Sequence, residues 1–200
     1  LMRIFLFGDS FGADFSVKTH KQHGWPLQLS NFYDVHNVCT AGASQSRICN
    51  QLKQVNIEDY DVAIMCATSP TRIYTPKHIL HHRDPLHHSC DLIVADLEDA
   101  IFQRNIREPS IVSAYDFFKY HVDEDMLDFE YSMKVEWIKQ QVNIPLIVTS
   151  YTDLQQFYTG FNYVQGSDLL SSNPGDNNWM DQRGNIIMTR RIVDAITELT

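Results

Sequence analysis

The sequence has few cysteines, few basic residues and no long apolar run. Its four cysteines, Cys39, Cys49, Cys66 and Cys90, form no Cys-x-x-Cys pair, which argues against a structural zinc site and favours free thiols. Lys and Arg number 16 against 25 Asp and Glu, and this acidity disfavours a nucleic-acid-binding surface. No apolar run approaches the roughly 20 residues of a membrane span. We therefore expect a cytoplasmic protein with neither nucleic-acid nor membrane partners.

Apolar runs and helical periodicities alternate along the chain and predict an α/β fold in a single domain, residues 1–200. Short apolar or alternating runs predict strands at 2–7, 33–38, 61–68 and 145–150. Helical spacing predicts helices that begin near Pro26 and Ser44, a helical segment over about 91–142, and a last helix at 182–199 with Asp181 as its cap. Residues 151–178 carry no clear pattern. Such alternation is typical of a three-layer α/β/α sandwich with a mainly parallel, flavodoxin-like sheet.

The first predicted strand ends in a turn of small and polar residues, Gly8-Asp9-Ser10. The third predicted strand ends near Thr68. Open α/β sheets bind ligands at the carboxyl ends of their strands, so Ser10 and Thr68 are expected to lie together at the switch point. Ser10 is a candidate nucleophile there. A hydroxyl that only caps the following turn is the alternative.

Two short segments resemble the first blocks of the SGNH/GDSL hydrolases. Residues 7–11, Phe-Gly-Asp-Ser-Phe, are similar to the block whose Ser is the nucleophile. Residues 40–44, Thr-Ala-Gly-Ala-Ser, are similar to the block whose Gly N–H helps to form the oxyanion hole, and Gly42 has the matching place. The resemblance implies a flavodoxin-like hydrolase fold.

The third block of that family, usually Gly-x-Asn-Asp, departs from the pattern here. Thr68, followed by Ser69, stands where the Asn amide would donate to the oxyanion. The Ser-Pro-x-Arg run that ends at Arg72 resembles a divergent branch of the family found among tailed phages of marine bacteria. Arg72 is expected either to bind an anionic part of the substrate or to form a surface salt bridge.

The fourth block, Asp-x-x-His before the last helix, keeps its carboxylate but not its imidazole. Counting back from Gly184 puts Asp176 in the Asp place and Trp179 in the His place. A Ser hydroxyl without a base is a weak nucleophile at neutral pH. Either the base comes from elsewhere in the chain, or the protein has lost hydrolysis and only binds. Both hypotheses stay open.

The connection over residues 69–91 is unusually rich in histidine and long for a loop within one domain. It leaves the strand end beside Ser10, so its imidazoles are candidate replacement bases: His81, His82, His87 and His88. The run matches no zinc pattern such as H-E-x-x-H. We therefore expect neither a metal nor another cofactor.

The resemblance as a whole implies hydrolysis of an ester or O-acyl group, acetyl included, in a small-molecule or glycan substrate. Ser10 would attack, while the Ser10 and Gly42 amides and the Thr68 hydroxyl bind the oxyanion and Asp176 orients the base. The remaining site residues would contact substrate: Asp9, Ser69, Arg72 and Trp179. The alternative is a catalytically impaired binding module. Aromatic residues between 117 and 137 are expected to form a core stripe or an oligomer face.

Overall fold

The strands of the protein form one parallel sheet. A computed structural model describes residues 1–13, 24–76, 78–80, 90–174 and 180–200. Its strands are β1 (Arg3–Gly8), β2 (Asp34–Asn37), β3 (Val62–Cys66), β4 (Leu146–Ser150) and β5 (Asn162–Gln165). All neighbours pair in parallel, in the order β2-β1-β3-β4-β5. This is the flavodoxin-like order that the sequence predicted.

Helices cover both faces of the sheet. Those of the described residues are α1 (Trp25–Leu29), α2 (Gln45–Leu52), α3 (Val94–Glu98), α4 (Pro109–His121), α5 (Glu124–Gln141), α6 (Ser167–Ser172) and α7 (Gln182–Leu199). A π-helical turn at Asp99–Gln103 continues α3, and single 3-10 turns lie at Ile57–Asp59 and Gln155–Tyr158. α2 and α5 pack on one face, and α1 and α7 pack on the other. The predicted three-layer α/β/α sandwich is confirmed.

The side chains of β1 show why this strand is almost wholly apolar. Phe5 and Phe7 point into the layer of α2 and α5. Ile4 and Leu6 point into the layer of α1 and α7. Because successive side chains of a strand face opposite sides, a central strand between two helical layers needs apolar residues at every position.

The ends of the last helix agree with the sequence analysis. The Asp181 carboxylate accepts a hydrogen bond from Gly184 N–H at 2.8 Å and caps α7, which spans Gln182–Leu199. The predicted helical segment over 91–142 is present as α3, α4 and α5. α4 and α5 separate at residues 122–123, where Asp123 accepts from Met126 N–H at 3.0 Å and caps α5.

The segment from residue 91 to 122 carries a small apolar core of its own. Its buried residues are Leu97, Ala100, Ile101, Ile111 and Phe118, and Leu80 from the preceding connection packs with them. Asp91 closes the base of the preceding connection, because its buried carboxylate accepts from Ser44 N–H (2.8 Å), Thr75 N–H (3.0 Å) and Arg47 Nε (3.0 Å). This ion pair fixes the chain after β3 to the start of α2.

The aromatic residues between 117 and 137 divide between the interior and the surface. Phe118 and Tyr131 are buried, while Phe117, Tyr120 and Phe129 are exposed. No helix within the described residues combines the length and apolarity needed to cross a bilayer. Across those same residues, no three His, Cys, Asp or Glu side chains lie close enough together to bind a metal ion.

Candidate active site

The turn after β1 is anchored tightly against the neighbouring strand. Gly8 has φ of +135°, and a Cβ built on it would lie 2.1 Å from Cys66 O. The Gln51 amide donates to Gly8 O (3.1 Å) and accepts from Gly8 N–H (2.7 Å). Asp9 N–H donates to Cys66 O at 3.0 Å. These contacts place Ser10 at the carboxyl end of β1, next to the end of β3.

Two backbone amides near this turn have no hydrogen-bond acceptor among the described residues. They belong to Ser10, which is half-buried, and to Gly42, which is buried. Gly42 has φ of +64°, and a Cβ there would lie 2.6 Å from Cys90 Sγ and 3.2 Å from Arg72 Nη1. Its carbonyl accepts from Asp91 N–H at 2.8 Å. The turn thus needs a glycine at 42 both for its backbone angle and for the close approach of Arg72.

Thr68 lies at the end of β3 with its hydroxyl turned inward. Its side chain is fully buried, and its Oγ1 completes no hydrogen bond with any described group. Its carbonyl accepts from the Tyr131 hydroxyl at 2.9 Å, and that hydroxyl also bonds Tyr158 at 2.6 Å. α5 therefore fixes the backbone of Thr68, whose buried hydroxyl lowers the pKa of the neighbouring Asp9.

Asp9 is a fully buried carboxylate in the same turn. Its Oδ1 accepts from Phe11 N–H at 2.9 Å, and its Oδ2 has no described partner. Burial raises the pKa of Asp9 from 3.8 to about 7, against the opposing effects of the Phe11 N–H, the Arg72 charge and the Thr68 hydroxyl. Burial therefore keeps the neutral acid form of Asp9 to a higher pH than for an exposed carboxyl.

Arg72 lies between this turn and the base of the loop. Its Nη1 donates to Asp91 O at 3.0 Å, and its Nε is buried without a described acceptor. Burial raises the pKa values of Asp9 and Tyr151, and the Arg72 charge partly offsets this by lowering both. Among the described residues the Arg72 guanidinium bonds a backbone carbonyl and no carboxylate, and both expected roles of Arg72 stay predictions.

Ser69 forms part of a turn after Thr68. Its hydroxyl lies 2.9 Å from Thr71 Oγ1, and its carbonyl accepts from Arg72 N–H at 3.3 Å. A role in substrate contact stays a prediction for Ser69, as it does for the buried Asp9.

Comparison with solved structures identifies the architecture that carries this site. A protein from Desulfitobacterium hafniense DCB-2, classed as a lipolytic protein of the G-D-S-L family, superposes with a TM-score of 0.51 at 12% identity, over 98% of this chain and 99% of that one. A protein from Bacteroides fragilis NCTC 9343, classed as an acylhydrolase, gives a TM-score of 0.47 at 13% identity, over 98% and 86%. The chain has the SGNH/GDSL hydrolase fold. No protein-family model matches the sequence, and no curated protein does.

Within the SGNH/GDSL fold, the structure brings together five of the predicted site residues. The Thr68 hydroxyl and the Arg72 charge both act on Asp9, which precedes Ser10, and Gly42 lies against Arg72. Ser69 follows Thr68 directly, and the remaining predicted members lie outside the described residues: Asp176, Trp179, His81, His82, His87 and His88.

The histidines that the structure describes do not hydrogen-bond Ser10. His78 is fully buried, its Nδ1 accepts from Leu80 N–H at 3.1 Å, and its Nε2 lies 3.3 Å from an Asp96 oxygen. His36 bonds the Tyr60 hydroxyl, and His121 lies in the last turn of α4. Because both ring nitrogens of His78 face protein groups, its role in the loop is structural.

Sequence reasoning missed the residues that support the turn after β1. Gln51 looks like an ordinary polar residue of an amphipathic helix, although its amide bonds both backbone groups of Gly8. Tyr131 was predicted only as part of an aromatic stripe. Asp91 was read as the start of a helix, but the helix begins at Val94. A lone polar side chain gives no sequence signal of the distant backbone group that it bonds.

Replacing Asp9 with asparagine is expected to change how stability depends on pH. Asn retains an oxygen to accept from Phe11 N–H but has no charge to bury. The raised pKa means that folded protein binds the Asp9 proton more tightly than unfolded protein does. The wild type should therefore lose stability relative to Asp9→Asn as pH rises from about 4 to about 7, by at most about 1.4 kcal/mol per pH unit.

Urea unfolding of both proteins at pH 4.5 and pH 8 measures this effect. Asp9→Asn should be more stable than the wild type, and the difference in unfolding free energy should be larger at pH 8 than at pH 4.5. An equal difference at the two pH values would show that the Asp9 carboxyl titrates normally.

Proposed function

We propose that the protein is a serine ester hydrolase of the SGNH/GDSL type, which cleaves an ester or O-acyl substrate with Ser10 as nucleophile. One observation carries the proposal. Three hydrogen-bond donors, the Ser10 and Gly42 amides and the Thr68 hydroxyl, lie in the turns that follow β1, β2 and β3, and neither amide has an acceptor among the described residues. Preorganised donors without a ground-state acceptor are what an oxyanion hole requires.

The reaction follows from this arrangement in two steps. Ser10 Oγ attacks the acyl carbon while a base takes its proton, and the carbonyl oxygen becomes an oxyanion bound by the three donors. Collapse breaks the bond to the alcohol, which leaves with the proton, and an acyl-Ser10 ester remains. Water then attacks that ester in the same way, releasing the acid and restoring the Ser10 hydroxyl.

The proton acceptor in this proposal comes from the histidine-rich loop. Its members His81, His82, His87 and His88 follow β3, whose end lies beside Ser10, and Asp176 would orient the imidazole.

The raised pKa of Asp9 suits this chemistry. A permanently ionised carboxylate next to the nucleophile would repel the oxyanion, since two like charges a few ångströms apart in a buried site interact strongly. Burial favours the neutral acid at Asp9, and the Arg72 charge partly compensates any ionised fraction. The turn therefore accommodates a developing negative charge at neutral pH.

A binding module that no longer hydrolyses is the second candidate function. The observation that favours it is Trp179 at the place where the family has its His. In that case the crevice would bind an ester or a related ligand without activating Ser10.

A fluorophosphonate probe tests the proposal directly, because it reacts covalently only with an activated serine. We expect the probe to label the wild type and Ser132→Ala equally and not to label Ser10→Ala. Ser132 is the matched control, since it is an exposed serine on α5. The Ser10 hydroxyl bonds no described group, so Ser10→Ala should unfold at the wild-type temperature. A folded wild type that resists the probe would contradict hydrolysis and favour the binding module.

A further inference from the structure

The exposed face of α5 carries a stripe of large apolar side chains. Met126, Phe129 and Met133 stand at i, i+3 and i+7 on this helix and are 56%, 59% and 57% exposed. The opposite face of α5 packs into the core through Tyr131, Val135 and Ile138. A surface helix usually has one apolar face and one polar face. α5 is apolar on two opposite faces, and only one of them is covered.

Two aromatic rings of α4 extend this stripe. Phe117 and Tyr120 are three residues apart, so they lie on one face of α4, and both are at least half exposed. Phe117 and Met126 line the same cleft at the corner of α4 and α5, so the two groups of side chains adjoin. We call the five residues Phe117, Tyr120, Met126, Phe129 and Met133 the α4–α5 patch.

The area of the α4–α5 patch matches what a dimer interface needs. An aromatic ring or a side chain of similar size has a surface of about 150–250 Å², so five half-exposed ones present about 500 Å². A standard interface buries about 800 Å² on each partner, and roughly two-thirds of that area is apolar in homodimers. The apolar share is therefore also about 500 Å². The patch alone could supply the apolar part of such an interface.

The spacing of the α5 stripe is self-complementary in an antiparallel helix pair. Its three residues occupy successive a, d and a positions of a heptad, which form the seam along which two helices pack. Phe129 lies about midway between Met126 and Met133. A two-fold axis beside Phe129 therefore sets Met126 against the partner's Met133 and the two Phe129 rings against each other. A closed dimer requires this reciprocity of contacts.

The charges along α5 also favour an antiparallel pair. Residues 123–130 include five carboxylates and neither lysine nor arginine, whereas residues 131–141 include Lys134 and Lys139 against the single carboxylate of Glu136. Antiparallel packing places the acidic half of α5 beside the basic half of the second helix. Parallel packing would place the acidic half against itself, and an anionic membrane would repel it as well. The pattern thus fits a second copy of the same helix.

We propose that the α4–α5 patch is the interface of a homodimer, in which α5 packs antiparallel against α5 of a second copy of this chain. Met126, Phe129 and Met133 form the centre of the interface, and Phe117 and Tyr120 form its edge. The inference does not depend on hydrolysis, because no residue of the patch supplies a group to the turn of Ser10.

Sedimentation equilibrium of the full chain between roughly 1 and 200 μM tests this inference. We expect the wild type to dimerise in this range and Phe129→Glu to weaken the dimer at least about thirtyfold, because two facing carboxylates would be buried at the two-fold axis. Phe32→Glu is the matched control and should dimerise like the wild type. Phe32 is 56% exposed and lies between α1 and β2, outside the patch. Both variants replace exposed rings, so circular dichroism should show the wild-type fold.

A pair of charges tests the orientation independently of Phe129. Met126→Glu and Met133→Lys should each weaken the dimer, since each buries an unpaired charge. Both substitutions in one chain should restore affinity, because antiparallel packing sets each new carboxylate against the new ammonium group of the second copy. Parallel packing would set like charges opposite each other, and the double variant would then stay monomeric.

Three results would overturn the inference: a wild type that stays monomeric over the whole range, a dimer that Phe129→Glu and Phe32→Glu affect equally, or a double variant that dimerises no better than either single variant. A monomer that cosediments with phosphatidylcholine vesicles would assign the patch to a lipid surface instead. Fluorophosphonate labelling plays no part in these measurements, so hydrolysis and dimerisation can fail separately.

Discussion

Replacing Gly8 with alanine should prevent the chain from folding. The new Cβ would lie 2.1 Å from Cys66 O and 2.7 Å from Cys66 N, both backbone atoms of the adjacent central strand. The φ of +135° is also a region that side-chain-bearing residues almost never adopt. We expect a loss above about 4 kcal/mol, which is comparable with the whole stability of roughly 5–15 kcal/mol of a typical domain.

Gly160→Ala separates backbone strain from steric overlap in this experiment. Gly160 also has a positive φ, +81°, but the nearest atom to its added Cβ is Lys139 Nζ at 4.0 Å. Its cost should be about 1 kcal/mol. Urea unfolding and soluble yield of the two variants provide the comparison. If Gly8→Ala unfolded at the same urea concentration as Gly160→Ala, β1 and β3 would not be packed as closely as described.

The contrast between β1 and β5 shows which parts of the fold a sequence reveals. β1 lies between two helical layers, so each position needs an apolar residue and the run is unmistakable. β5 is an edge strand that pairs only with β4, and its ends, Asn162 and Gln165, are exposed. An edge strand has neither a continuous apolar run nor a strict alternation, so β5 and the short α6 after it gave no pattern.

The candidate site shows the same limit at the level of single residues. Ser10, Gly42 and Thr68 follow predicted strands and stand at matching places of the family's motif blocks, so the sequence suggests them as candidates. Gln45 and Gln51 both lie on the short helix α2, six residues apart. One has an unpaired buried amide and the other bonds Gly8. Their different environments depend on tertiary contacts, which local spacing does not encode.

Replacing Thr68 with valine should lower the rate of hydrolysis and leave the free energy of unfolding almost unchanged. Valine has the same shape, and the hydroxyl it removes is buried without completing a hydrogen bond. Unfolding should change by less than about 1 kcal/mol, because no paired group is left unsatisfied. Removal of one oxyanion donor costs about 10²–10³ in kcat. Hydrolysis of 4-nitrophenyl acetate should fall by that factor while KM changes little.

Thr149→Val is the matched control for this prediction. Thr149 lies on β4 directly opposite Cys66, is fully buried, and has a hydroxyl without a described partner. Both substitutions thus remove the same group from the same sheet, and only the Thr68 hydroxyl lies next to the turn of Ser10. A loss of activity in both variants would point to a general effect on the sheet. A loss in Thr68→Val alone would mean that the Thr68 hydroxyl acts on the site. Because this hydroxyl also lowers the pKa of Asp9, the pH dependence of kcat completes the test: an unchanged pH profile assigns the loss to the oxyanion, and a shifted one assigns it to Asp9.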